Sequence, residues 1–168
     1  LYTGTFGSFI GFSAGFPLLS KTLFPEANAL AFAFLGPLVG ALSRSLTGWV
    51  SDRWGGARVT LIVFAAMAAG TLGVLYFVWN REMPGAFWGF LGTFVFLFFV
   101  TGVGNASTFQ MIPAIMREDM PRLLPGADAA QRQRQAEKES AAILGFTSAL
   151  APYGAFFIRN SLGSPIAL

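Results

Sequence analysis

Five runs of apolar sequence, near residues 1–20, 29–50, 59–79, 86–109 and 140–158, decide what this chain can fold into. Each is long enough to cross the hydrocarbon core of a bilayer as a helix, which takes about 20 residues. A segment in lipid must satisfy its own backbone N–H and C=O groups, so the runs predict an all-α integral membrane protein with about five transmembrane helices. Only 11% of the residues are charged, against roughly 25% in a soluble domain. The chain has no cysteine and no histidine, which disfavours haem ligation, zinc sites, thiol catalysis and disulfides. No cofactor, no metal and no enzymatic activity are therefore expected.

Glycine recurs inside the runs: Gly4, Gly7, Gly11 and Gly15 in the first, Gly36, Gly40 and Gly48 in the second, Gly102 and Gly104 in the fourth. Small residues at such spacing let helix backbones approach closely in lipid, so the spans are expected to pack as a bundle. The net charge of +3 does not point to nucleic acid, because the basic residues sit at the ends of the apolar runs. The connections at 51–58 and 110–139 hold Arg53, Arg58, Arg117, Arg122, Arg132, Arg134 and Lys138, whereas those at 21–28 and 80–85 hold Lys21 and Arg81. That asymmetry places the first pair of connections in the cytoplasm. The chain opens at Leu1 inside an apolar run and stops at Leu168 just after a Gly-Ser-Pro turn, so a piece of a larger protein is expected.

Arg44 breaks the pattern. It lies inside the second run, and a guanidinium within a span is costly and stays protonated. All eight acidic residues, Glu26, Asp52, Glu82, Glu118, Asp119, Asp128, Glu137 and Glu139, fall outside the spans or at their ends. Three kinds of partner remain: backbone carbonyls, a carboxylate elsewhere in a larger protein, or an anion that comes and goes. The last is a transported substrate.

Other runs offer neighbours for such an anion. Tyr2, Phe6, Phe9 and Ser13 recur at helical spacing, and Thr101, Asn105, Thr108 and Phe109 share one side of the fourth run. Aromatic stripes in membrane helices are more often lipid-facing or packing residues, but the polar one needs partners across helices or in a wet cavity. In the last run Gly145, Ser148, Ala151 and Ala155 form a small-residue face, and Pro152 frees a carbonyl, marking either a broken helix at a site or a plain kink. The turn from Gly48 to Arg58 packs Asp52 with Arg53 and Arg58, charges able to latch one state of a moving bundle.

Gly48 to Arg58 resembles the G-x-x-x-D-R-x-G-x-x-R loop of the major facilitator superfamily. The stretch from Thr5 to Phe16, Ala41-Leu42-Ser43-Arg44-Ser45, and the stretch from Gly104 to Met111 together resemble the C-terminal half of NarK-type nitrate/nitrite porters. The resemblance implies that residues 1–168 are a partial C-terminal half whose spans are helices seven to eleven of twelve. It implies that Arg44 binds nitrate or nitrite, that Tyr2, Phe6 and Phe109 shape the pocket, and that Gly145 and Ser148 line its eleventh-helix side. Asp52, Arg53 and Arg58 would form the cytoplasmic latch. A multi-pass protein of the bacterial inner (plasma) membrane is implied, with the lipid bilayer and the N-terminal half as partners. A planar anion suits a forked guanidinium with rings above and below. The chain departs from the pattern at Ala151-Pro152-Tyr153-Gly154-Ala155, where a glycine-richer run is usual, and at Arg159, where proline is expected.

With no histidine and no carboxylate inside the spans, nitrate/nitrite antiport is expected over proton-coupled symport. A carrier of another small anion is the nearest alternative. A non-transporting membrane subunit of a respiratory complex is a rival of another class, which would need ligating residues that this sequence lacks.

Overall fold

The computed structural model describes the backbone of residues 1–163 and the side chains of residues 1–28 and 31–157. The described residues form helices and turns with no strand. Helix α1 spans Tyr2–Leu23, α2 Leu35–Leu46, α3 Gly48–Trp54, α4 Gly56–Trp79, α5 Ala86–Leu123 and α6 Ala129–Gly163. A 3-10 turn at Ala29–Phe32 precedes α2. The protein is an all-helical membrane bundle.

Three helices are long and apolar enough to cross a membrane, over Gly56–Trp79, Ala86–Leu123 and Ala129–Phe157. Helix α1 has the length, at 22 residues, but its run of Gly, Ser and Thr lowers its apolarity. The second run differs most from a single span over 29–50. It is divided into the 3-10 turn, the 12-residue α2 and the 7-residue α3. A 12-residue helix rises about 18 Å, short of a hydrocarbon core of about 30 Å. The junction is Thr47, whose hydroxyl bonds the Ser43 carbonyl while Val50 N–H donates to the Thr47 carbonyl at 3.0 Å.

The stretch 110–139, expected as a connection with a helical entry to the last span, is helical except for residues 124–128. Its Arg, Gln, Ala and Glu residues are good helix formers. The short turn is held from both sides: Asp128 Oδ1 accepts from Gln131 N–H at 2.6 Å, and the Arg132 guanidinium donates to the Leu124 and Pro125 carbonyls at 3.1 and 2.8 Å.

Helix α5 is the centre of the bundle, packed against α1, α2, α4 and α6. Its buried Phe90, Phe94, Leu97 and Phe98 join Phe16 of α1 and Val63, Met67 and Val74 of α4 in one apolar core. Phe16 packs on Phe90 and Phe94, and Phe12 on Phe94 and Phe98, mostly edge to face. Small residues set the closest approaches. A Cβ on Gly7 would come within 3.0 Å of the Ala151 carbonyl oxygen and 3.1 Å of Gly154 Cα, so α1 and α6 touch backbone to backbone there.

Candidate anion site

Arg44 lies in the last turn of α2, three residues before the break at Thr47. The carbonyls at a helix C-terminus carry partial negative charge, which favours a cation in that turn. Dividing the second run thus gives Arg44 an electrostatic environment that an unbroken span would not. The guanidinium carbon stands 5.3 Å from the centroid of the Phe109 ring, within the range of a cation–π contact. Among the described residues Arg44 makes no hydrogen bond and no ion pair. Its five N–H donors are uncommitted.

The rings expected beside it are present and touch one another. Tyr2 lies 6.0 Å from Phe109, centroid to centroid. Tyr2 stacks on Phe6 at 5.4 Å and 18°, and Phe6 on Phe9 at 6.4 Å and 5°. Phe9 in turn meets Phe98 edge-on at 5.7 Å. Arg44, Phe109, Tyr2 and Phe6 therefore form one chain of contacts linking α2, α5 and α1. It arises from helical spacing: residues 2, 6 and 9 share a face of α1, and that face runs antiparallel to α5.

Gly145 and Ser148 are not in this chain of contacts. Gly145 is exposed, with nothing near a Cβ built on it, and Ser148 is half-buried. The contact of α6 with α1 falls instead at Ala151 and Gly154, with Ala155 also buried. Helices α5 and α6 run antiparallel, with Pro113 and Ser140 lining one small cavity. Counting along the pair puts Gly145 at about the height of Phe109, on an open surface of the segment.

Asp52, Arg53 and Arg58 are exposed around the α3–α4 corner and make no ion pair among the described residues. What ties this corner to the bundle is a set of hydroxyls that charge patterning does not reveal. Ser107 of α5 donates to the Gly56 carbonyl at 3.0 Å, and lies 3.3 Å from the Ser51 hydroxyl and 3.1 Å from that of Thr60. The sequence signal was present in three small hydroxyl residues within or beside apolar runs. Thr5 is a second such case, fully buried and 3.4 Å from the Thr108 hydroxyl. The Arg159 side chain lies outside the described residues.

No family model matches the chain. Three relatives do. It is 48% identical to the nitrate/nitrite transporter NarU of Salmonella typhimurium over 171 residues, covering 100% of this chain and 37% of that protein. It is 46% identical to NarU of Escherichia coli over 165 residues, covering 97% and 36%. It is 37% identical to the probable nitrate/nitrite antiporter NarK2 of Thermus thermophilus over 164 residues, covering 95% and 32%. The chain spans about a third of the length of these curated relatives. By these matches the chain is a homologue of nitrate/nitrite transporters and aligns with one segment of each.

Proposed function

We propose that this chain is the substrate-binding part of the C-terminal half of a nitrate/nitrite transporter working by alternating access, with its spans standing for helices seven to eleven of twelve. The observation that carries the proposal is the uncompensated guanidinium of Arg44 beside the Phe109 ring, with no carboxylate paired to it among the described residues. A mobile anion is the partner that such a group lacks. Tyr2, Phe6 and Phe109 supply flat walls and Arg44 an in-plane pair of donors, the arrangement that suits a small trigonal or bent oxyanion. Gly145 and Ser148, on α6 and apart from the Arg44 contacts in this segment, line the anion's path where the N-terminal half closes over that open surface. Asp52, Arg53 and Arg58 act as a latch whose counter-charges belong to that other half.

Exchange of nitrate for nitrite is preferred to proton symport, because the chain has no histidine and no carboxylate pairs with Arg44 among the described residues. The naming of NarK2 as a probable antiporter supports this preference. The membrane is the bacterial inner membrane. A second reading makes Arg44 a structural cation bound by the C-terminal carbonyls of α2, and its position in that last turn favours it. Arg44→Lys in the full-length protein separates the two. Lysine keeps the charge for the carbonyls but loses the fork. Nitrate affinity lowered at least about tenfold, with thermal stability retained, supports anion binding; unchanged affinity overturns it.

A further inference from the structure

We propose that the Asn105 side chain is a positioning partner of Arg44: its Oδ1 accepts from the guanidinium, leaving the amide Nδ2–H and the other guanidinium N–H groups to face the anion. The second half of this inference rests on the anion reading above; the pairing itself does not.

Asn105 is 2% exposed, and its Oδ1 is fully buried with no hydrogen-bond partner. A buried amide oxygen without a donor is rare in folded proteins and costly at membrane depth. Register shows what it faces. Three residues earlier, a Cβ on Gly102 would meet the Gly40 carbonyl, Ser43 and the backbone nitrogen of Arg44. Four residues later, Phe109 lies against Arg44 and Tyr2. Thr108 touches Thr5 of α1. At 3.6 residues per turn, Asn105 therefore sits between the α2 face and the α1 face of α5, beside the same aromatic chain.

An orphaned acceptor on α5 and an uncommitted donor-only group on α2 are complementary. The bond is not made in this conformation, and a rotamer change of the long Arg44 side chain brings the two together. Gln110 Oε1 is also buried and unpartnered, but its amide lies against Gly48 at the start of α3. Ser20 Oγ, the remaining orphan, is near the far end of α1. A carboxamide also has the right polarity for the task. Its oxygen repels an anion and attracts a guanidinium, while its nitrogen does the reverse.

The test uses the full-length protein in detergent and in proteoliposomes, with nitrate as the probe. Asn105→Asp is nearly isosteric and converts the hydrogen bond to an ion pair. Without nitrate it should raise Tm when Arg44 is present and lower it in an Arg44→Gln background, the non-additivity that marks a direct interaction. Nitrate affinity should fall at least about tenfold, since Arg44 is then neutralised. Equal Tm effects in the two backgrounds overturn the pairing. If Asn105→Asp does not fold, Asn105→Leu takes its place in the same cycle and should cost more stability with Arg44 present; an equal cost overturns the pairing. Nitrate affinity within about twofold of wild type in Asn105→Asp, while Arg44→Lys is impaired, overturns the role of Asn105 alone. Unimpaired affinity in Arg44→Lys overturns the anion reading, and the Tm cycle still judges the pair.

Discussion

Gly102 of α5 meets Gly40 of α2 so closely that a Cβ on Gly102 would collide with the Gly40 carbonyl oxygen and the Ser43 hydroxyl. Arg44 follows directly, its backbone nitrogen 3.2 Å from that Cβ position. The height of the Arg44 backbone on α5 is thus set by a close approach of the two helices at Gly102 and Gly40.

Gly102→Ala should therefore destabilise the full-length protein by about 1–3 kcal/mol, the usual cost of overpacking. It should also weaken nitrate-induced stabilisation, because α2 must shift away from α5. Thermal unfolding in detergent, with and without nitrate, checks both. A variant with wild-type Tm would show that the helices are not in contact there.

Ser107 is the hub of the α3–α4 corner. Ser107→Ala removes only the hydroxyl, taking a partner from the Ser51 and Thr60 hydroxyls and from the Gly56 carbonyl, at a cost of about 1–3 kcal/mol. The effect should appear as lowered Tm and slower exchange, with equilibrium nitrate affinity within about threefold of wild type. Affinity lost in proportion to stability would instead make Ser107 part of the anion site.

Gly145 offers the opposite combination. Nothing among the described residues lies near a Cβ at this position, so Gly145→Val should leave the stability of the C-terminal segment's own packing unchanged, apart from about 0.5 kcal/mol of helix propensity. If the open surface at the height of Phe109 closes on the anion and the other half, the transport rate should fall at least about tenfold. Counterflow in proteoliposomes, with Tm as the control, measures this. Wild-type transport would remove Gly145 from the site.

The sequence made the bundle and the aromatic chain readable because both depend on periodicity. Apolar runs of span length and rings at positions 2, 6 and 9 of one helix leave few other arrangements. Arg44 stood out through cost alone. The division of the second run was hidden, since Thr47-Gly48 is a weak signal inside an apolar stretch and Thr is common in spans. The helical extent of 110–139 was masked by Pro113, Pro121 and the charges, which resemble loop composition although α5 absorbs both prolines. The hydroxyl hub on Ser107 was out of reach, because its partners come from positions 47 to 56 residues away. Asp52, Arg53 and Arg58 are exposed and make no ion pair among the described residues, an outcome that charge patterning along the sequence does not reveal.

Helices α5 and α6 continue well past the Arg44 level before they turn at residues 124–128. From Phe109 to Leu124 is about 22 Å along a helix. A tilt of about 5° around Phe109 moves the turn by about 2 Å, so the hairpin is a pointer that enlarges small motions at its inner end. The solvent-facing tip can be read by a fluorophore or a spin label without touching the rings, which makes the outermost residues of this segment the natural place to watch its innermost ones.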